Sequence, residues 1–255
     1  MSGCDGLLVV GHGTRDPTGV QQFLSTVADI RLRMRPLLVE GAFLELAQPS
    51  IADGVARLLD RGVRQVIVLP FLLFAAKHVK EDIPAAVHEA VRELRPHDTS
   101  VSVRQLPHLN HHPGILELSA WRFQQIMGSH SRTPEQLERT ELVIVARGTG
   151  DVGALREVEE FAQQRVLATP VAHWRLCYLA VARPSLEEGL AAAAAGGLPR
   201  IVIQPHLLFS GQLWDRLADR LVEAAQQWPQ QQWQLTQTLG PDPRLADLAV
   251  ASVLP

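Results

Sequence analysis

The chain has 255 residues, 46% hydrophobic and 20% charged, with a formal net charge of −3. That length supports one large domain or two small ones with real cores, and the near-neutral balance supplies no field for nucleic acid or an anionic membrane. Two cysteines, Cys4 and Cys177, are too few for a disulfide framework or a four-cysteine cluster and fit a reducing cytoplasm, while no signal-peptide pattern or apolar run of the roughly 20 residues that cross a bilayer is present.

Residues 7–10 (LLVV) read as a strand buried on both faces, ending at Gly11-His12-Gly13. The glycines allow a sharp exit and close approach of a ligand. His12 therefore stands just past the carboxyl end of a strand, where open α/β sheets bind ligands. By itself, a histidine between two glycines is as often a turn residue. A helical pattern follows to about Arg33, with Phe23, Val27 and Ile30 at helical spacing. Residues 37–45 form a second strand, and Pro49-Ser50 opens a helix that closes at Gly62. A third strand covers 65–69. The loop FLLFAAKH then leads into a helix over 81–94, a strand over 100–106 and a helix from Pro113 to about Met127. Strands alternating with helices argue for a parallel α/β sheet with right-handed crossovers. Residues 128–140 are polar and read as a linker.

The pattern then repeats. Strands are expected over 141–146, 174–181, 201–204 and 233–239, with helices closing at Gly196-Gly197, covering 215–227, and starting at Pro243. An offset of 135 residues carries Gly13 to Gly148, Thr14 to Thr149, Asp16 to Asp151, Pro49-Ser50 to Pro184-Ser185, Gly62 to Gly197 and Pro70 to Pro205. Identical turn residues imply identical backbone needs. The expected architecture is α/β, with two duplicated four-stranded parallel-sheet units and an active-site cleft between them. The expected division is an N-terminal half at 1–128, a linker at 129–140 and a C-terminal half at 141–255.

Duplicated halves share turns and packing, so differences at matched positions point to chemistry. His12 maps to Arg147, Glu45 to Ala180 and His78 to Leu213. The first half carries three polar groups that the second lacks. All three follow strands of one parallel sheet and so lie at one edge. Two imidazoles and a carboxylate form a mixed N/O donor set suited to borderline divalent metals. Three ligands leave open positions, as a reactive site needs. Glu45 alone reads equally as a solvated strand-end carboxylate, and His78, flanked by Lys77 and Lys80, as loop polarity. The second half packs the same turns without these side chains, which argues against both.

Other histidines carry less. In PHLNHHPG, His112 matches Asp242 before a helix-starting proline, which is a capping position. His206 matches Phe71 and is expected to face the cleft or the core.

The blocks VGHGTRDP, FLELAQPSI and LPFLLFAAKHVKEDIP together resemble the sirohydrochlorin metal chelatases of the class II chelatase family, in their long fused form. The resemblance implies insertion of Co(II) or Fe(II) into sirohydrochlorin, for cobalamin or siroheme synthesis, without ATP. It implies a catalytic and metal-holding set of His12, Glu45 and His78, with His12 as proton acceptor. It places the tetrapyrrole-contacting loop on Phe74, Ala75, Ala76 and Lys77, where FAAKH departs from the glycine common in the family. The tetrapyrrole carries many carboxylates, so Arg147 and Arg183 are expected substrate contacts, the second half serving as a substrate-binding wall. No iron–sulfur cluster is expected, since the cysteine-bearing tail of some long members is absent. The expected partners are the macrocycle and the metal ion, with no nucleic acid and no membrane, on a cytoplasmic monomer, with a dimer as the alternative. A non-enzymatic metal or tetrapyrrole carrier is the competing reading. A histidine phosphatase fits less well, because Gly11 stands where that chemistry wants arginine.

Overall fold

The computed structural model describes residues 5–74, 77–128 and 133–254. In chain order the elements are β1 (Asp5–Gly11), α1 (Pro17–Arg33), β2 (Leu38–Phe43), α2 (Ile51–Asp60), β3 (Gln65–Pro70), a π-helical turn (His78–Asp82), α3 (Ile83–Leu94), β4 (Ser102–Gln105), a 3-10 turn (Leu109–His111) and α4 (Pro113–Met127). They continue with a short α5 (Pro134–Leu137), β5 (Thr140–Ala146), α6 (Val152–Leu167), β6 (His173–Tyr178), α7 (Leu186–Ala195), β7 (Arg200–His206), α8 (Gln212–Gln227), β8 (Gln232–Leu235) and α9 (Pro243–Val253). The strands form two four-stranded sheets, ordered β2-β1-β3-β4 and β6-β5-β7-β8. Every pairing is parallel. The expected pair of parallel α/β units is therefore present.

The central strands are apolar because both faces are covered. Leu7, Leu8, Val9 and Val10 are fully buried, as are Leu142, Val143 and Val145. Helices start where the sequence supplies caps. The Asp16 carboxylate accepts from Thr18 N–H, and Asp151 from Ala154 N–H. Ser50 with Asp53, and Ser185 with Glu188, form reciprocal capping boxes at α2 and α7.

Several boundaries differ from the expected ones. The strands expected over 174–181 and 233–239 end at Tyr178 and Leu235, and the helix expected from 215 begins at Gln212. Backbone bonds continue past both ends, from Leu179 N–H to Ala146 O and from Thr236 N–H to Ile203 O, but the regular ladder stops there, and Val181 takes a positive φ of 64°. The expected linker contains α5, capped by Thr133, and ends where β5 begins at Thr140.

The compact units also depart from the expected division at 128 and 141. One unit comprises Met1–His112 together with Pro241–Pro255, and the other comprises Pro113–Gly240. Each half gives up its last helix to the other unit. α4 packs by Phe123 and Met127 into a cluster with Leu142, Ile144 and Val202, and Gln204 Nε2 donates to Ser119 O at 2.6 Å. α9 lies against α1, where Arg33 Nε donates to Asp247 Oδ1 at 3.0 Å. An apolar helix face satisfies either sheet equally, so local pattern does not determine which sheet it covers.

Candidate metal centre

The loop leaving β1 is held against the loop leaving β2. Glu45 N–H donates to His12 O at 3.0 Å, and Leu44 N–H to Gly11 O at 2.9 Å. Gly13 takes φ +98°, a backbone state that side chains rarely adopt. The second unit repeats this geometry. Ala180 N–H donates to Arg147 O at 2.9 Å and Leu179 N–H to Ala146 O at 2.9 Å, and Gly148 takes φ +84°. The turn is thus a property of the fold, and its side chains are free to differ.

In the first unit the turn carries His12 and Glu45. His12 Nε2 lies 3.5 Å from Glu45 Oε1. His12 Nδ1 is 3.2 Å from Gly13 O. A carbonyl only accepts, so Nδ1 is the donor in that contact, and Nε2 is the ring atom that faces Glu45. His78, on the π-helical turn after β3, sets its ring edge-on to that of His12, with centroids 5.0 Å apart. One donor atom from each of His12, Glu45 and His78 lies within 4.8 Å of the others. Two ligands about 2.1 Å from one ion lie at most about 4.2 Å apart, so under an ångström of side-chain movement closes the set. The imidazoles are partly covered and the Glu45 carboxylate is about half exposed, at 20% and 34% against 49%. The site is sheltered at the back and open at the front.

The other expected site residues fall as follows. Phe74 is half-buried and Lys77 exposed, both on the approach to His78; Ala75 and Ala76 lie outside the described residues. Arg147 is exposed at the end of β5, on the turn equivalent to that of His12. Arg183 follows β6, and its guanidinium pairs with Glu188 of the α7 capping box. His112 directly precedes α4, the position that Asp242 occupies before α9, where Asp242 accepts from Arg244 N–H. His206 is fully buried in the second unit and stacks on Phe161 at 4.0 Å, and burial pushes its imidazole down to about 3. It is a core residue. Sequence reasoning missed Asp82, whose Oδ2 lies 2.8 Å from His78 Nδ1. The spacing of four residues on a helix was the available signal.

Similarity to known proteins extends over both halves of the chain. The CbiX family model matches residues 6–126 and again residues 141–254. A curated sirohydrochlorin cobaltochelatase of Priestia megaterium is 30% identical over 240 residues, spanning 94% of this chain and 76% of the relative. A sirohydrochlorin ferrochelatase of the same organism is 27% identical over 217 residues, spanning 85% and 78%. The solved structure of SirB from Bacillus subtilis with Fe3+ superposes with a TM-score of 0.82 at 23% identity, covering 98% of this chain and 94% of that one. The SirB structure from Bacillus subtilis subspecies spizizenii in complex with cobalt gives 0.79 at 21% identity, covering 98% and 93%. Matched by the family model in both halves, and aligned with its relatives over nearly its whole length, the chain belongs to the CbiX family.

Proposed function

We propose that this protein is a sirohydrochlorin chelatase that inserts Co(II) or Fe(II), held as substrate by His12, Glu45 and His78, into the macrocycle. The convergence of these three side chains from three loops at one sheet edge carries the reading, because the second unit keeps the two loops matched to those of His12 and Glu45 without any of the three. Metallation removes two pyrrole N–H protons and transfers a partly desolvated ion to the ring nitrogens. His12 Nε2 suits both tasks. While the ion is held, the lone pair ligates it; once the ion moves to the macrocycle, the same lone pair accepts a proton. Glu45, half exposed, takes up the second proton and passes it to solvent. His78 completes the set that holds the ion until transfer. No nucleotide takes part, and the chain carries no Walker-type phosphate loop.

Phe74 and Lys77 lie on the approach to the site and contact the tetrapyrrole; Arg147 binds a substrate carboxylate. Arg183, already paired with Glu188, contributes less. No helix among the described residues is long and apolar enough to cross a membrane, which is compatible with a small-molecule substrate taken from solution.

The test is the absorbance change of sirohydrochlorin with Co(II) or Fe(II), with and without protein. Wild type accelerates metallation and His12→Ala removes the acceleration. Equal rates for the two proteins would overturn the catalytic assignment. Metal binding by the wild type without faster insertion would mark a carrier instead.

A further inference from the structure

We infer that Asp82, the π-helical turn it closes and Gln105 form a positioning device for His78, setting the imidazole tautomer that presents Nε2 to the metal. The inference rests on His78 being a ligand and concerns groups that do not touch the ion.

An ionised carboxylate only accepts hydrogen bonds, so the 2.8 Å contact between His78 Nδ1 and Asp82 Oδ2 requires the hydrogen on Nδ1. The Nε2 lone pair is then available. A carboxylate behind a ligating imidazole fixes its orientation and raises its basicity. The pair sits on a π turn closed by Ile83 N–H donating to His78 O, where residues four apart share one face. From the end of β4, Gln105 Nε2 donates to Val79 O at 2.9 Å and braces the turn from below.

The second unit shows that the fold does not require these groups. The constant offset takes His78 to Leu213 and Asp82 to Leu217. Sheet register takes Gln105, paired with Val68, to Leu235, paired with Ile203. All three polar residues become leucines, packed into or against one apolar cluster. In that unit α8 is α-helical from Gln212. The carboxylate, the brace and the π turn are present where the histidine is present and replaced where it is replaced. A solvated ion pair on a helix surface does not account for this joint substitution.

The experiment uses the full-length chain with Co(II) alone, followed by its visible absorption, together with 15N chemical shifts of the His78 ring in the metal-free protein. Asp82→Asn and Asp82→Leu are expected to weaken Co(II) binding by about 10- to 100-fold and to shift His78 toward the Nε2–H tautomer. Asp82→Glu is expected to recover much of both. Leu217 occupies the matched position in a folded unit, so Asp82→Leu is expected to melt cooperatively, and Asp82→Asn keeps size and shape where it does not. Unchanged affinity and tautomer in Asp82→Asn, with weakened binding in His78→Ala, would overturn the positioning role alone. Wild-type Co(II) binding by His78→Ala would overturn the ligand assignment and this inference with it.

Discussion

A Cβ atom on Gly13 would stand 1.8 Å from the carbonyl oxygen of Glu45. The loop bearing one expected ligand is thus pressed against the backbone of another, and this contact sets His12 beside Glu45. The second unit repeats it, with 2.0 Å between a Cβ on Gly148 and Ala180 O.

Gly13→Ala therefore meets both a backbone clash and a positive φ. We expect a loss of about 2 to 4 kcal/mol in chemical denaturation, together with weaker Co(II) binding as the loops part. Gly148→Ala carries the same two penalties at the matched turn. It is expected to destabilise to a similar degree and to leave Co(II) binding unchanged. Equal effects of both variants on Co(II) binding would show that the turn acts only through global stability.

Arg147 stands on the turn that carries His12 in the first unit. Loss of a charge-assisted contact to a substrate carboxylate costs about 1.5 kcal/mol or more, equivalent to roughly tenfold in affinity. Arg147→Ala is expected to raise the KM for sirohydrochlorin by about that factor, with Co(II) affinity unchanged. Steady-state metallation at varied macrocycle concentration tests this.

His206 is buried neutral, its imidazole pushed by burial from the ordinary 6.5 down to about 3. The unfolded chain binds a proton there below pH 6.5, whereas the native state does not until the pH falls much further. Stability from this residue is therefore complete above about pH 6.5 and declines as the pH falls toward 3, with a slope approaching about 1.4 kcal/mol per pH unit. His206→Phe, which installs the residue found at the matched and equally buried position 71, is expected to flatten the pH dependence of stability in that window. Urea titrations between pH 4 and 7 measure the slope.

Because α4 and α9 each belong to the other half's unit, fragments cut within 129–140 are each expected to lack a helix that covers their own sheet. Fragments 1–128 and 141–255 expressed separately should aggregate, and co-expression should restore Co(II) binding. Within the intact chain, Phe123→Ala is expected to cost about 3 to 5 kcal/mol, since Phe123 is fully buried among Leu142, Ile144 and Val202.

Much of this protein is decided locally and was legible in its residues. Four-residue apolar runs ending at glycine or proline specify buried parallel strands, and capping residues mark the helix starts. The 135-residue offset, as from Gly13 to Gly148, reveals the duplication. Because parallel strands end at one edge, knowing that His12, Glu45 and His78 follow successive strands was enough to bring them together. Their replacement in the second half separated chemistry from packing.

Other features depended on distant partners. An apolar helix face fits either of two similar sheets, so only tertiary packing assigned α4 to the second unit and α9 to the first. The π turn at His78–Asp82 arises where the chain meets Gln105 from β4, and local periodicity there reads as the start of an ordinary helix. The sequence position of His206 fits cleft or core alike, and its burial against the Phe161 ring makes it core. Sequence alone determined the strands and the turns, which follow from short-range conformational preference, and with them the sheet edge at which His12, Glu45 and His78 meet. The exchange of helices and the carboxylate behind His78 were decided by the tertiary structure, because they follow from which surfaces meet.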